Sequence, residues 1–391
     1  MKASLIVFIK ECRESMRDRR VMLNALLLGP ILGPVLFVVI LRLTISHELD
    51  RAEKPLPVVV IGAELAPNLI ESLKQQGLEL LPPVADVESA VRAQRIDLAL
   101  RISNNYAADW QAGRPALVEL IYDSSAREVS SEADRLRGML ESYSRRNGLM
   151  RLLVRGLAPT LISPVVVATR DQATPQGRGA LLFAMLPYFL VLSALVGGMW
   201  LAIDSTAGER ERQSLEPLLI NPVRRDAILL GKMFATSAFS LTSLALSLVA
   251  FMIAGWFLPA NKLGMTFNLS ASVIVTILPV MVPLVLLLVN LQILVTSMAK
   301  SSREAQTYLG LLQLVPIIPS VILSVLPIKA QSWMYTVPLM SQQLSVTKLL
   351  RGETLPIQPV ALGFLITLVT SVIAFLYCKR NYDSERLAIY G

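Results

Sequence analysis

Six long apolar runs limit what this chain can fold into. They cover 21–41, 180–203, 227–257, 272–299, 308–326 and 360–378. A bilayer's hydrocarbon core is about 30 Å thick, and a helix of roughly 20 apolar residues crosses it. Within hydrocarbon, backbone N–H and C=O groups are satisfied only inside a helix or a closed barrel. Six transmembrane helices are therefore expected. The third and fourth runs exceed the minimum, so these helices are expected to tilt or project. The first run is too long for a cleaved signal peptide, and no small-residue cleavage site follows it. It reads as a signal anchor.

The stretch between the first two runs is different. Only 17% of the whole chain is charged, against about 25% in a typical soluble domain, but 47–178 has an ordinary soluble composition. Aliphatic segments 56–62, 98–102 and 117–122 alternate with helical candidates 66–76, 87–94 and 105–112. A long helix over 126–155 carries Leu136, Met139, Leu140 and Tyr143 among charges. The alternation points to an inserted α/β domain. The expected organisation is an interfacial helix over 1–20, a first span over 21–46, the domain over 47–178, and five further spans over 179–391.

The interfacial helix is read from Leu5, Ile6, Phe8, Ile9, Cys12 and Met16, which recur at near-helical spacing. Lys10, Arg13, Arg17 and Arg20 fill much of the remaining surface. A basic amphipathic helix of this kind lies in the headgroup plane; the bland alternative is a frayed tail. The formal charge of +8 comes from basic residues clustered beside the apolar runs, so no nucleic-acid partner is expected. With the N-terminus inside, about 16 Lys and Arg fall on inner segments and about four on short outer ones. This bias places both ends in the cytoplasm and 47–178 outside. Cys12 and Cys378 lie at the ends of runs and the domain has no cysteine, so no disulfide is expected.

Several chemistries are missing. No G-x-x-x-x-G-K-[ST] phosphate loop occurs, since Gly231-Lys232 is followed by Met233. This chain is expected to hydrolyse no ATP and to bind no cofactor. His47 is the only histidine, which excludes a His-Glu-x-x-His zinc site and leaves any metal site unassigned. No Asp, Glu, Lys or His is evident in the middle of a span; Asp204 and Arg42 sit at span ends, where snorkelling relieves the cost. An intramembrane protease is disfavoured on that ground. Asn290, Gln292 and Gln313 interrupt apolar runs. Each either lines a substrate path or hydrogen-bonds a neighbouring helix. Gly29 and Gly33 allow close helix contact, although Pro30 and Pro34 make a kink an equal reading.

One inner segment has a character of its own. It runs Thr206-Ala207-Gly208-Glu209-Arg210-Glu211-Arg212-Gln213-Ser214-Leu215-Glu216-Pro217-Leu218-Leu219-Ile220-Asn221-Pro222. Leu215, Leu218 and Leu219 repeat at i, i+3 and i+4, giving a small apolar face. Pro217 fits a first helical turn and Pro222 a stop. A short helix with an apolar face among charges either docks on a soluble partner or lies on headgroups.

The segment resembles the GERERGTLEPLL…P signature of ABC-2 type exporter permeases. Gln213-Ser214 stand where the family often has Gly-Thr. Gly231-Lys232 resembles the family's GK at the start of the third span, and 337–342 its outer re-entrant region, here expected over 327–357. In layout and length the chain is most similar to the family's sodium-export permeases. The resemblance implies an α-helical polytopic, type V exporter-like fold in a bacterial inner membrane. It implies a coupling helix over 206–221, with Gly208, Glu209, Arg210, Glu211, Arg212, Leu215, Glu216, Leu218 and Leu219 contacting a separate ABC ATP-binding subunit. ATP and Mg would reside on that subunit. A second, identical or related permease and membrane lipids complete the implied partners. Sodium is the first expected substrate, and drugs, lipids or other amphipathic organic molecules the alternative. A membrane-anchored sensor or assembly protein is the rival of another class; six spans and an inner docking helix weigh against it.

The charge bias makes a direct prediction. In intact cells, Ser124→Cys should react with a membrane-impermeant maleimide applied from outside; labelling only after the cytoplasmic face is exposed would reverse the topology.

Overall fold

The computed structural model describes residues 2–158, 160, 165, 168–214, 223–259, 264–325 and 330–383. The chain divides into two compact units, one formed by Met1–Ile45 with Gln172–Gly391 and the other by Ser46–Asp171.

The first unit is helical. Among the described residues, six helices are long and apolar enough to cross a membrane: Leu23–His47, Leu186–Glu211, Arg225–Gly255, Ala271–Met298, Ser302–Leu323 and Ile357–Asn381. The second packs most extensively on the third, and the fourth on the sixth. Small residues let the backbones approach. A Cβ on Gly197 would come within 2.3 Å of Ser243 Cβ, and one on Gly198 within 2.4 Å of Ser240 Oγ. Ser193 Oγ donates to Ser243 O, and Ser243 Oγ donates back to Ser193 O. Small residues and hydroxyl bonds are the means by which helices associate in lipid, where apolar burial gives no advantage.

The first span opens with a π-helical stretch, Leu23–Leu32, that contains Pro30. Gly29 faces Val196 and Gly33 faces Phe189, so both glycines seat this span on the second. The fifth span differs from its expectation as one helix over 308–326. It begins earlier, at Ser302, where Ser301 caps it by accepting from the Glu304 N–H. It breaks over 313–316 and resumes as Ile317–Val325. Pro316 explains the break, because it has no N–H to donate and its ring clashes with the preceding turn. The segment ahead of the last span forms a 3-10 turn, Ser332–Thr336, and a helix, Met340–Leu350, which packs on the second, fourth and sixth spans. Gln342 and Gln343 are buried there, donating to Thr367 Oγ1 and Ser320 Oγ.

The second unit holds a four-stranded sheet in the order β2-β1-β3-β4, with β1 Leu56–Ile61, β2 Leu78–Leu81, β3 Leu98–Ile102 and β4 Val118–Tyr122. β1 pairs in parallel with β2 and β3, and β4 closes the sheet antiparallel to β3. Alternate residues face opposite ways along a strand. Val58, Val60, Leu98 and Leu100 therefore meet Leu73 and Leu136 on one face, and Val59 and Ala99 meet Val87 and Val91 on the other. The long helix Arg127–Val154 is held to the sheet's helices by Arg151, which stacks over the Trp110 ring at 4.2 Å and donates to the Trp110 carbonyl.

Candidate functional site

The second span ends in an irregular turn. Asp204–Gly208 is π-helical and Glu209–Glu211 returns to α geometry. A π turn carries one residue more than an α turn, which offsets the side chains that follow it. Four consecutive charged side chains then reach different parts of the unit.

Glu209 turns inward and is buried. Its carboxylate lies between two ammonium groups, Lys232 of the third span and, at 3.3 Å, Lys10 of the N-terminal helix Lys2–Arg17. Lys232 is fully buried, and its ammonium also donates to the Ser205 carbonyl. Arg210 donates to the carbonyls of Ser297 and Ala299 at 2.8 and 3.0 Å, at the C-terminal end of the fourth span. Glu211 accepts from the N–H and hydroxyl of Ser302, at the first turn of the fifth span. Both contacts follow the helix dipole, with a cation on the terminal carbonyls and an anion on the first N–H groups. Arg212 folds back on Asp204 at 2.8 Å. The motif thus joins the N-terminal helix and the second to fifth spans in one charged hub.

The N-terminal helix is seated on the same hub. A Cβ on Gly231 would lie 2.6 Å from Val7 Cβ and 2.8 Å from the Ser4 carbonyl, so only glycine admits the helix at this distance. Phe8 and Cys12 pack inward against a cluster that includes Ala25, Leu201, Ala235 and Phe239. Leu5, Ile6, Ile9 and Met16 face outward. The single apolar face expected from sequence is therefore two faces, one on the protein and one exposed. Glu11 belongs to the inward face and is buried. Burial pushes its carboxyl above the usual glutamate range, against the pull of Lys232 and Lys10. Lys10 loses basicity to burial, but Glu11 and Glu209 more than reverse this and hold it above its ordinary value. Since the folded pKa of Glu11 is raised, its contribution to stability is complete at acid pH and falls as pH rises through that value.

Residues 25–377 match the profile described as "ABC-2 family transporter protein". The chain belongs to the ABC-2 transporter family. Its sequence is 28% identical over 320 residues to the ABC transporter permease protein NatB of Bacillus subtilis (strain 168), covering 80% of each chain. No solved structure shows significant similarity. An ABC-2 chain of this kind is the membrane subunit of an ABC transporter and works with an ATP-binding partner, which decides between a transporter subunit and a membrane-anchored sensor.

Within this ABC-2 subunit, Lys232 lies near the start of the third-span helix, where the sequence places it, but with no exposed surface, which the sequence does not show. Gly208 belongs to the π turn, close to Asp204 and Arg212. Leu215, Glu216, Leu218 and Leu219 fall within 215–222, outside the described residues.

The amides bridge helices. Asn290 Nδ2 donates to the carbonyl and hydroxyl of Ser371 in the sixth span, at 2.7 and 2.9 Å. Gln292 Nε2 donates to Leu195 O in the second span at 2.6 Å. Gln313 Nε2 lies 3.2 Å from Met199 Sδ. Asn290 Oδ1, Gln292 Oε1 and Ser240 Oγ are buried without a hydrogen-bond partner among the described residues. Two of these oxygens converge on Gly198, where an added Cβ would sit 2.4 Å from Ser240 Oγ and 2.8 Å from Gln292 Oε1.

Sequence pattern does not single out Glu11, Lys10 or Ser240 as members of a site. Glu11 is detectable in principle, as an acid on the Phe8–Cys12–Ser15 face of an otherwise basic helix. Ser240 carries no signal, because its neighbours are set by tertiary packing alone.

The hub yields a stability prediction. Lys232→Met leaves Glu209 buried against Lys10 alone and should destabilise the chain by about 3–5 kcal/mol. Adding Glu209→Gln should recover most of that loss, because both buried charges are then gone. Denaturant unfolding in detergent, followed as a double-mutant cycle, measures it; additive losses would show that the two groups do not act as a pair.

Proposed function

We propose that this chain is the membrane-spanning half of an ATP-driven exporter in a bacterial plasma membrane, with both ends cytoplasmic and 47–178 outside. Segment 206–221 docks on a separate ATP-binding subunit, and a second permease copy, identical or related, completes the pathway. ATP and Mg belong to the partner. The hub carries this reading. A displacement of the docked segment pulls on Glu209, Arg210 and Glu211 together, and through them on the N-terminal helix and the third, fourth and fifth spans. A ligand on one side of a protein shifts the other only through elements whose arrangement both ends bias. A contiguous set of charge-assisted hydrogen bonds supplies such elements.

Sodium is the substrate we favour. The unpaired oxygens of Gln292, Asn290 and Ser240 are neutral ligands suited to a dehydrated monovalent cation. The family resemblance points the same way. An amphipathic organic substrate is the second reading, supported by the apolar lining of the spans and the need for no charged ligand.

Docking rests on Leu215, Leu218 and Leu219 as the apolar contact, with Glu216 beside them. Burying one leucine contributes roughly 1.5–3 kcal/mol, so placing two charges there should abolish binding. The test is reconstitution of the full chain with its cognate ATPase in liposomes, with ATP hydrolysis and sodium efflux read together. Wild type should show ATP-dependent sodium flux. Leu218→Asp with Leu219→Asp should insert normally yet lose co-purification of the ATPase. Unchanged docking and unchanged transport in that variant would remove the coupling assignment.

A further inference from the structure

The second unit holds a cleft that neither the hub nor the spans use. Part of its wall is an aromatic ladder. Tyr106 and Trp110 lie one turn apart on the helix Tyr106–Gln111, and their rings stack with centroids 5.8 Å apart and planes 11° apart. Tyr143, from the long helix Arg127–Val154, continues the ladder on Trp110 at 5.8 Å. On the same long helix, Leu140, Ser144, Asn147 and Arg151 recur at three- and four-residue spacing and form one stripe. With Leu69 and Val118 they line a half-open cavity of about 220 Å³.

Arg151 is the unusual member of this lining. It is half-buried, and its guanidinium lies 4.2 Å over the Trp110 ring while one N–H goes to the Trp110 carbonyl at 2.8 Å. No carboxylate pairs with it among the described residues. Charged side chains withdrawn from water are nearly always paired, and the face of an indole offsets only part of that cost. Arg114, the other guanidinium of the lining, differs. It is exposed, and Asp109 neutralises it by accepting from Nε at 3.0 Å. A guanidinium carries five N–H donors, and one carbonyl occupies only one of those on Arg151. Tyr106 and Tyr143 add phenol donors nearby. Burial raises both phenols above their ordinary value, Tyr106 up to about 12, and Arg151 opposes the rise; both remain protonated at neutral pH. Beside these donors the lining is aliphatic, from Leu69, Leu140 and Val118.

We propose that this cleft binds a small organic monocarboxylate, with its charge on Arg151 and Tyr143 and its apolar body against Leu69, Leu140 and Val118. A carboxylate accepts two parallel N–H bonds from a guanidinium, and it supplies the counter-charge that the fold omits. One unpaired guanidinium balances one negative charge, which favours a carboxylate over a phosphate. Clefts for drug-sized ligands have roughly 300–1,000 Å³, so the occupant here is smaller, an acid about the size of benzoate. The stacked rings hold Arg151 in place before the ligand arrives, which lowers the cost of ordering it. The site lies within Ser46–Asp171 and involves neither the transported substrate nor the ATP-binding partner. It therefore stands or falls separately from the proposed function.

Equilibrium dialysis of the full-length chain in detergent, against radiolabelled benzoate, benzamide or acetate, tests the proposal. Wild type should bind one benzoate, roughly ten-fold more tightly than the neutral isostere benzamide, the difference a hydrogen bond to a charged group makes. Acetate has the charge without the apolar body and should also bind more weakly than benzoate. Arg151→Gln should remove the advantage of benzoate over benzamide, and Arg151→Lys should restore part of it. Since Arg151 also holds the long helix, a second variant is needed. Ser144 is exposed at the cleft, so Ser144→Trp should fill the cavity and abolish benzoate binding while keeping the circular dichroism of wild type. Photolysis of bound 4-azidobenzoate should label peptides containing Trp110 and Tyr143–Arg151. Equal affinity of wild type for benzoate and benzamide would overturn the proposal. So would undiminished benzoate binding by folded Ser144→Trp, or labelling confined to other peptides.

Discussion

The ion pair between Glu209 and Lys232 is the interaction on which the helical unit depends. Removing two charges from water costs several kcal/mol per ion, and their attraction repays this only when the remaining hydrogen-bonding capacity is also used. Here it is used. Lys232 has the Ser205 carbonyl as a second acceptor, and Glu209 has Lys10 as a second cation. The pair fixes the end of the second span against the third. Once that end is fixed, Arg210 and Glu211 are in position to hold the end of the fourth span and the beginning of the fifth. A second ionic contact, Lys379 with Asp226, ties the end of the sixth span to the beginning of the third. The membrane helices are thus joined by charge at one end and by small residues and hydroxyls along their length.

A buried ion pair gives less net stability than an apolar pair of similar volume would, but it is demanding about geometry. That trade suits a transporter. Apolar helix surfaces in lipid slide over one another at little cost, whereas a charged hub is either intact or broken. The glycines at 197, 198 and 231 serve the same end by letting backbones approach where a side chain would force them apart. The amides of Asn290 and Gln292 extend the joined region toward the second and sixth spans. Their remaining oxygens, like the hydroxyls of Ser237, Ser240 and Ser247 on the third span, are buried without a hydrogen-bond partner among the described residues.

Much of this architecture is legible in the order of the amino acids. The spans can be read because twenty consecutive apolar residues have few alternatives in water or lipid. Strands β1 and β3 can be read because buried strands are aliphatic runs of limited length. Strand β4, at an edge with Glu119 within it, is still read from Val118, Leu120, Ile121 and Tyr122. Strand β2 gives no such signal: it is only four residues long and has Glu79 within it. The break in the fifth span is signalled by Pro316, yet the apolar run continues on both sides of it. The role of Lys232 is hidden because a lysine five residues into an apolar run looks like a flanking charge. Its burial follows from Glu209 and Glu11, which are distant in sequence and are brought to it by packing. The resemblance to a known motif locates the hub but does not show that its charges turn inward.

The central claim is that the hub transmits the partner's movement to the spans, rather than merely stabilising them. The double variant Lys232→Met, Glu209→Gln tests it most directly, because it removes both buried charges together and so breaks the hub without leaving an unpaired charge. The measurement is the ratio of ATP hydrolysed to substrate exported in liposomes containing the chain and its ATP-binding partner. The account predicts that the double variant still binds the partner and still supports ATP turnover, while exported substrate per ATP falls at least ten-fold. A double-variant complex that exports with the wild-type ratio would contradict it.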